Sequence, residues 1–594
     1  MVSCRVRAPK ARVLILARIL HRLLYTIRIQ CMRVFRPALN THGLASTLLL
    51  MVFVLPAYAG TGSTTEPIPP AATAERSSEI PGDAELEASG VLIGNITFDR
   101  QNVFDTTQPA ENKALYRLAN RWHIVTRQSV ILAQLLFRQG DPYSRRILDE
   151  SERLLRGNNY IYDAKITPVR YADGTVDILV WTRDVWTIAP ELSFSRTGGE
   201  NKTRIALSEK NLFGRGTTIR VSREDNVDRV TTRLAFFDNN IFKSRTSLFL
   251  NLSNSSDGNT QQIRVQRPFF ALDTRWAVGG SLRNDDLEER VYDLGNTVAE
   301  YRQEINRHVL FGGLSTGLKN GWVRRWTAGM VYDINQFSPV VDGTLAELLP
   351  EDRRLIYPFI GFELLEDEFQ TAANRDQMER TEDFYFGTRF TAGLGYASKS
   401  FDADRDALIY SLGASKGFGS MEKKATLLAS TMSGRVDGGN ADNTRINLSA
   451  RYYSHQSKQW LFFAAMSGSW GKDLDLDNYL QLGGDNGLRG YPLRYQTGSA
   501  RLLISIEERY FTHWYPFRLF RVGFAAFVDA GRTWGDNPAA GPPLGWLRNV
   551  GIGLRIVPTR ASGREIYHLD LAFPLDGDPS IDGVQILLQT KTNF

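Results

Sequence analysis

The chain has 594 residues, of which 42% are hydrophobic and 11% aromatic, so it can bury the cores of several domains and is not a disordered chain. Nine Lys or Arg residues and no acidic residue fall within the first 59 positions. The rest of the chain holds 62 basic against 65 acidic residues, which disfavours binding to nucleic acid.

The first 59 residues are typical of a secretory signal peptide. An apolar run at 44–58 follows two arginines and ends in the small-x-small pattern at 57–59, which predicts cleavage before Gly60. A leader of ordinary length would begin at Met32, so earlier residues are left out of the fold reasoning. The alternative is an N-terminal membrane anchor, although a spanning helix needs about 20 apolar residues.

The cysteines and the apolar runs narrow the protein class further. Cys4 and Cys31 both lie in the leader region, so the mature chain is expected to have no disulfide and no thiolate metal ligand. No later stretch is apolar over 18 residues, so any membrane span must be a closed barrel of strands. Residues 60–89 are rich in Pro, Ser and Thr and predict a flexible linker.

Residues 90–190 predict a small α+β domain of βααββ order. Alternation, apolar spacing and turn residues predict its elements, with Ser144 as the N-cap and Gly157 at the end of the second helix. The elements are a strand at 91–99, a helix near 114–121, an extended run at 130–137, a helix at 145–156, and strands at 160–169 and 175–182.

Residues 191–594 change to short alternating segments separated by Gly, Asn and Asp turns, which is the weak signature of a transmembrane barrel. In the segment 521–531, Phe524 and Val528 lie on a face suited to lipid, and Asp529 lies on the opposite face, suited to a lumen. A soluble secreted β-protein would also alternate. The last residue is aromatic, Phe594, as is typical of outer-membrane barrels. Ile586, Leu588, Thr590 and Thr592 lie on the same face of the predicted last strand.

Other motifs predict no chemistry. Two G-x-S-x-G matches, at 313–317 and 413–417, lie in Gly-rich alternating segments without the following helix of a hydrolase. The five histidines after the leader lack metal-binding spacing, and the acidic loops at 402–406 and 473–477 lack the features of a calcium loop. We therefore predict no enzyme activity, no cofactor and no metal.

The stretch QLGGDNGLRGYPLRY contains Leu488, Arg489, Gly490 and Tyr491, and this motif resembles the loop that defines the BamA/TamA superfamily. In that family the loop folds back into the barrel. A buried arginine needs a carboxylate, because a buried charge without a partner costs several kcal/mol. Glu507 and Asp529, on segments that also resemble family motifs, are the predicted partners.

The βααββ order of residues 90–190, with the stretch LLFRQGDPYSRRILDESERLLRGNNYIYDAKI at its centre, resembles a POTRA repeat. The resemblance covers residues 90–594 and implies a single periplasmic POTRA domain at 90–190 before a barrel at 191–594. Five strands are predicted after the loop, as in a family barrel of sixteen strands. About 25 residues per strand and connection fits that number over 191–594. The expected fold is thus a sixteen-stranded antiparallel barrel in the Gram-negative outer membrane.

The family resemblance implies a factor that inserts or exports polypeptide through a laterally opening barrel. The expected partners are an unfolded or exported polypeptide, outer-membrane lipid and lipopolysaccharide, and periplasmic chaperones or lipoproteins. Two mechanisms are predicted: the last strand, ending in Thr590–Phe594, forms a weak seam, and the POTRA edge strand with Tyr160, Ile161, Ala164 and Ile166 pairs with substrate.

Three alternatives stay open. The first is a dedicated secretion pore for one exported partner protein, the second is a structural or passive barrel, and a lipase is a distant third.

Overall fold

The computed structural model describes residues 80–340, 348–539, 541, 544–577, 579 and 581–594. The predicted signal peptide and most of the predicted linker lie outside these residues. The linker prediction is wrong at its end, because residues Asp83–Ala88 form a short helix, α1, whose Leu86 is fully buried in the core that follows.

A small α+β region precedes the barrel. Strand β1 (Leu92–Gln101) is parallel to β3 (Thr175–Asp184), which is antiparallel to β2 (Ile161–Ala172), so β2 lies at an edge. The region also contains three helices, α2 (Ala114–Trp122), α3 (Gln128–Leu132) and α4 (Arg145–Arg156), of which α3 and α4 contribute to the core of the sheet.

The predicted helices and strands of this region are present, with one error. The run 130–137 was predicted as extended, but α3 occupies its first residues. Ile131, within the helix, and Leu135, after its end, both reach the core. In α4, Leu148 and Leu155 are fully buried, and Ser144 and Gly157 occupy the predicted cap positions.

Among the described residues, twenty antiparallel strands close into a barrel. In chain order they are β4 (Ile188–Thr197), β5 (Glu200–Glu209), β6 (Thr218–Asp225), β7 (Val230–Ile241), β8 (Thr246–Ser255), β9 (Gly258–Arg267), β10 (Trp276–Asp293), β11 (Asn296–Lys319), β12 (Trp322–Pro339), β13 (Arg353–Glu366), β16 (Arg389–Ala397), β17 (Ala407–Gly419), β18 (Lys424–Asp437), β19 (Asn440–His455), β20 (Trp460–Lys472), β23 (Ala500–Phe511), β24 (Phe520–Trp534), β25 (Leu547–Pro558), β26 (Ile566–Pro574) and β27 (Gln585–Lys591).

The prediction of sixteen strands is therefore wrong. Five strands do follow the LRGY loop, but fifteen precede it instead of eleven. The error comes from the assumed length of the connections, because several strands are joined by two-residue turns, such as 198–199, 294–295 and 438–439. Closure of a sheet fixes how many strands a barrel has, and this depends on pairing that alternation does not encode.

Alternation along each strand gives the barrel an apolar outer face. Leu192, Leu310, Ile360 and Ile552 are all more than half exposed on that face. In β24, Phe524 and Val528 point outward while Asp529 is fully buried inside. No helix in the described part of the chain is both long and apolar enough to cross a membrane.

The α+β region packs against one end of the barrel, here named the proximal end, and the opposite end is the distal end. Because the strand number is even, the chain both enters and leaves the barrel at the proximal end. Two long connections fold back on the barrel. The inner loop, residues 473–499, joins β20 to β23 at the distal end, and the proximal segment, residues 367–388, joins β13 to β16.

Candidate functional site

The inner loop is built to bring its LRGY motif against the inner wall. Its two short strands, β21 (Leu480–Leu482) and β22 (Gln496–Gly498), pair with each other and hold the intervening residues as a compact unit. Gly490 approaches the wall so closely that an added Cβ would lie 2.7 Å from Cβ of Asn549. Only glycine allows this approach, so its place beside Arg489 is a packing requirement.

Arg489 binds two strands of the wall at once. Its Nε and Nη2 donate to the two carboxylate oxygens of Asp529 at 2.7 and 2.6 Å, and its Nη1 donates to Glu507 Oε1 at 2.8 Å. A further bond joins Nη2 to the Ser505 hydroxyl at 3.1 Å. The structure thus brings together the arginine and both carboxylates that the sequence singled out.

Arg489 is buried and is surrounded by protein side chains. Arg489 is 4% exposed and Asp529 is not exposed at all. The guanidinium lies 3.4 Å from the centre of the Phe527 ring, and the Asn549 amide donates to Asp529 Oδ2 at 2.9 Å. Because each charge has a partner, removing one partner would leave another buried charge unpaired, which costs about 3–5 kcal/mol.

The other residues of the motif anchor the loop by packing. Leu488 and Tyr491 are fully buried, in a cluster with Leu482, Tyr495 and Leu547. The Tyr491 hydroxyl donates to the Arg548 carbonyl oxygen at 2.7 Å and accepts from the Arg548 N–H at 3.1 Å. The motif therefore attaches the inner loop to the barrel wall by ion pairs and by packing.

Glu507 connects the inner loop with the other end of the barrel. Its Oε1 accepts from Arg489, while its Oε2 accepts from Nε of Arg509 at 2.9 Å. Arg509 in turn donates to the carbonyl oxygen of Arg375 at 3.0 Å, and Arg375 belongs to the proximal segment. One carboxylate thus links the two segments that fold into the barrel.

The proximal segment forms a hairpin with a closed tip. Strands β14 (Phe369–Ala372) and β15 (Glu382–Tyr385) pair antiparallel. The partly buried Glu382 carboxylate accepts the backbone N–H groups of Arg375 and Asp376, both at 2.9 Å, and that of Gln377 at 3.1 Å. These bonds fix the residues between the two strands in one conformation.

The tip of this hairpin packs inside the proximal end of the barrel. Met378 and Phe384 belong to a buried cluster with Tyr453, Phe511 and other wall residues. The Tyr453 hydroxyl lies 3.1 Å from the Asp376 carboxylate. This half of the interior is thus occupied by protein, and the sequence analysis did not foresee it.

The proximal segment also contacts the α+β region. Arg156 of α4 donates to both oxygens of Asp383, at 3.0 and 2.6 Å. Arg380 donates to the Ile161 carbonyl oxygen at 2.7 Å, and Thr381 to the Asp163 carboxylate at 3.1 Å. The α+β region is therefore bonded to the segment that fills the proximal end.

The chain terminus does not follow the prediction. Strand β27 ends at Lys591, so the predicted terminal strand through Thr592 to Phe594 is wrong in its last residues. Phe594 turns into the barrel, where the centre of its ring lies 4.8 Å from that of Phe511. Its N–H donates to the carbonyl oxygen of Asp376 at 2.8 Å. Phe594 is therefore held by burial of its ring and by a hydrogen bond to the proximal segment, and not by pairing in the sheet.

The barrel closes between β27 and β4, and this seam is narrow. Its register contains one paired position, Leu588 with Arg196. A side-chain bond from Gln589 Nε2 to Thr197 Oγ1 at 2.8 Å adds to it. On the other side of β27 the ladder with β26 runs without interruption. Ile586 and Leu588 thus lie in a strand that is well paired on one side only.

The edge strand β2 is covered by side chains. The Ile166 N–H donates to Glu152 at 2.7 Å and its carbonyl oxygen accepts from Arg145 at 2.9 Å. At Ala164 the carbonyl oxygen accepts from Arg156 at 3.1 Å. Ile161 is bonded to Arg380 as described above, and Tyr160 precedes the strand. A substrate strand would have to displace these partners to pair at this edge.

The remaining sequence motifs are structural in their contacts. The two G-x-S-x-G matches lie within strands β11 and β17. In the acidic loops, Asp475 pairs with Arg435 at 2.7 Å and Asp477 with Arg353 at 2.6 Å. No group of three or more His, Cys, Asp or Glu side chains in the described residues is arranged to hold a metal ion.

Sequence reasoning missed part of the Arg489 site. Asn549 and Asp570 lie on the lumen faces of β25 and β26, and Asp570 pairs with Arg555, which shares its strand face with Asn549. The signal was available, because each is a polar residue on the face opposite the apolar one in an alternating segment. The proximal segment gave no such signal, since its sequence resembles an ordinary polar connection.

No family model matches this sequence, and no curated protein matches it. Among solved structures, the chain is similar to BamA from Haemophilus ducreyi lacking POTRA domains 1–3, at 14% identity over 84% of both chains, with a TM-score of 0.36.

Two further solved structures are CdiB proteins. The chain is similar to CdiB from Acinetobacter baumannii at 13% identity, over 84% of this chain and 73% of that chain, with a TM-score of 0.42. For CdiB from Escherichia coli the identity is 13%, the coverage 85% and 77%, and the TM-score 0.42.

Proposed function

We propose that this chain is an outer-membrane protein that inserts or exports polypeptide by opening its barrel at the seam between β4 and β27. The proximal end then faces the periplasm, and the α+β region acts as a POTRA domain there. The observation that carries the proposal is the seam itself, which is paired at Leu588 and Arg196 alone.

The seam supports lateral opening for a simple energetic reason. A closed barrel leaves no unpaired strand edge in the hydrocarbon, and opening one normally breaks a full ladder of backbone hydrogen bonds. Here the ladder is short, so few bonds need to break. Once open, β4 and β27 present edges on which an incoming strand can form backbone bonds.

The filled interior favours this lateral route over passage through the lumen. The Arg489 cluster holds the inner loop from the distal side, and the proximal segment occupies the other end. Both would have to leave before a chain could pass along the barrel axis. Opening at the seam leaves both of them in place.

Export of one dedicated partner protein is the second candidate. The contacts of the α+β region with the proximal segment favour it, because a protein bound by that region could pull Asp383 and Arg380 out of the lumen. In that case the lumen opens while the seam stays closed. The two candidates therefore predict opposite results when the seam is locked.

A disulfide across the seam provides the test. Paired positions in a sheet have Cα separations that suit a disulfide, so Arg196→Cys with Leu588→Cys locks β4 to β27. Leu569→Cys with Leu588→Cys is the matched control, because it joins β27 to the neighbour with which it is already fully paired. Cells depleted of the wild type carry each variant, and the proteins of the outer membrane and culture supernatant are quantified.

Oxidation of the seam pair is expected to abolish insertion or export, and a reductant should restore it, while the control pair has no effect. Full activity with an oxidised seam would overturn lateral opening and favour export through the lumen. If depletion of the chain changes neither the membrane nor the supernatant proteins, transport itself is ruled out and a structural barrel is left.

A further inference from the structure

Helix α2 of the α+β region exposes its apolar residues. Leu115, Leu118 and Trp122 are 64, 43 and 66% exposed. They are spaced by three and four residues, so they form one stripe along the helix. A helix on the surface of a soluble domain normally turns such a stripe into the core, but here only Tyr116, on the other side, is buried.

The buried side of α2 is attached to the rim of the barrel. The Tyr116 hydroxyl donates to the Phe517 carbonyl oxygen, and its ring stacks on Phe104 with centroids 4.4 Å apart. Beyond the helix, Arg127 donates to the Phe213 carbonyl oxygen at 2.9 Å. The helix therefore follows the proximal rim between the β23–β24 turn and the β5–β6 turn, and the seam lies between these two turns in the barrel order.

The rim turns that hold α2 expose aromatic side chains of their own. Phe213, Trp514 and Phe517 are each more than half exposed. Aromatic side chains at the ends of barrel strands belong at the depth where hydrocarbon meets headgroups. Because α2 and the residues that follow it are bonded to these turns, the helix lies close to this aromatic belt.

The charge of α2 suits the same location. Lys113, Arg117 and Arg121 carry three positive charges over residues 113–122, and this stretch has no acidic residue. The adjoining turn adds Arg518. Basic side chains beside an apolar stripe are typical of helices that lie in the headgroup region, where phosphates are anionic.

We infer that α2 is an interfacial helix that binds the phospholipid leaflet at the proximal end of the barrel. Leu115, Leu118 and Trp122 lie against acyl chains, and Arg117 and Arg121 meet phosphate groups. The inference rests on the proposed function only in that the barrel spans a membrane. It adds that the α+β region is anchored to lipid below the seam, where it would steady the leaflet that an opened seam meets.

A lipid partner agrees with the structure better than a protein partner. Tyr116 of α2 is bonded to the turn that carries Trp514 and Phe517, whose depth is set by the barrel, so lipid reaches the helix without any further component. A soluble partner would have to enter the headgroup layer to cover the same stripe. A protein partner is nevertheless one outcome that the following experiment can reveal.

Site-directed fluorescence provides the test. Cys4 and Cys31 are replaced by Ser, and an environment-sensitive dye is attached to Leu118→Cys in the full chain, reconstituted in nanodiscs of anionic and zwitterionic phospholipid. Ile360→Cys, on the outer face of the barrel, is the positive control. Arg170→Cys, near the hairpin that lies at the far end of β3 from the barrel, is the control for water.

The dye at 118 is expected to be blue-shifted and quenched by nitroxide lipids, at least about threefold more strongly than the dye at 170, and most strongly by nitroxides near the headgroup. Quenching at 360 without quenching at 118 overturns the inference and leaves the membrane barrel intact. Failure at both positions overturns the membrane barrel itself.

A second variant separates lipid from protein as the partner. Leu118→Asp with Trp122→Asp, both already exposed and so tolerated by the fold, should remove nanodisc protection of α2 from hydrogen exchange. If α2 is protected only when other periplasmic proteins are added to the nanodiscs, the partner is a protein and the lipid inference fails.

Discussion

The inner loop and the proximal segment fill the barrel from opposite ends, and they are held in different ways. The inner loop is held by a buried, fully paired arginine, Arg489, on rigid strands. The proximal segment is held by a hydrogen-bonded hairpin tip, by apolar contacts and by the C-terminal Phe594. The ion pairs of Arg489 with the wall are called here the ion-pair lock of the inner loop. The proximal segment is called the plug, because it fills its end of the barrel and is hydrogen-bonded directly to the α+β region.

This difference indicates which of the two segments can move when the α+β region moves. Charges that are paired in a dry interior are costly to separate one at a time, so the inner loop is expected to stay in place. The proximal segment shares Arg156–Asp383 and Arg380–Ile161 with the α+β region. Movement of that region therefore acts directly on the proximal segment, and Glu507 with Arg509 connects this segment to the inner loop.

The largest effect is expected from removing the plug. Replacing residues 374–383 by a Gly/Ser chain of equal length takes away the tip inside the proximal end, so ion conductance of the barrel in planar bilayers should rise several-fold at least. Equal replacement of the distal turn 399–405, which lies between β16 and β17, is the control. Unchanged conductance would show that the inner loop alone closes the barrel.

Next in size is the loss of the ion-pair lock. Arg489→Ala should lower the free energy of unfolding by about 3–5 kcal/mol, because Asp529 and Glu507 lose their shared partner. Secretion or insertion should fall more than expression. Urea unfolding in detergent provides the measurement.

Arg548→Ala is the matched control for Arg489→Ala. Arg548 pairs with Asp576 at 2.7 Å but is more than half exposed, so its loss should cost about 1 kcal/mol or less. Equal losses for the two variants would contradict the idea of a buried lock. Arg489→Lys should recover only part of the loss, since lysine cannot bind Asp529 through two parallel bonds.

Glu507 allows the coupling between the inner loop and the proximal segment to be measured, because it contacts Arg489 and, through Arg509, the proximal segment. Double-mutant cycles of Glu507→Gln with Arg489→Ala and with Arg509→Ala should each give a coupling free energy of about 0.5–3 kcal/mol. Arg489→Ala with Arg548→Ala should be additive, since these side chains share no partner. Additivity in the Glu507 cycles would mean that the two segments are energetically independent.

The smallest effect concerns the junction of the α+β region with the barrel, and it depends on pH. Burial raises the pKa of Asp184 to about 7, although the Thr126 N–H and hydroxyl donate to it. Its neighbour His123 is neutral above pH 5, because burial lowers its pKa to about 4. The positive charge of Arg100 opposes the effect of burial and lowers the pKa of Asp184.

For a carboxyl with a raised folded pKa, the neutral form is the one that the fold favours. The stabilisation from Asp184 is therefore complete below about pH 4 and is lost as the pH rises to about 7. Asp184→Asn should stabilise β3 by on the order of 2 kcal/mol at pH 8 and by much less near pH 4. Hydrogen exchange of β3 measures this, with the exposed Asp173→Asn as the control; a pH-independent difference would contradict it.

Much of the site follows from local sequence. Alternation assigned Asp529 to the lumen and Phe524 to the outside, because the side-chain period of a strand is two whatever its neighbours are. The LRGY motif identified Arg489, and the need of a buried guanidinium for carboxylates identified Glu507. These inferences depend on one residue's chemistry or on one strand's periodicity.

Other features could not be predicted, because they depend on long-range pairing. The sequence does not show that Phe594 leaves the sheet, because the alternation of side chains predicts that β27 continues to the terminus. It does not show that Asp376, far from Phe594 in the chain, offers it a carbonyl oxygen. The cover on β2 likewise needs Arg380, which reaches the strand only through the folded hairpin.

Local sequence patterns are enough to predict a β-barrel chain with a small α+β region and a buried arginine loop, because periodicity and the pairing of buried charge are local requirements. The folded structure was needed to show that twenty strands close the barrel, that the seam is short, and that residues 367–388 and Phe594 fill the proximal end. Closure and plugging depend on which distant segments meet, and no local pattern encodes that.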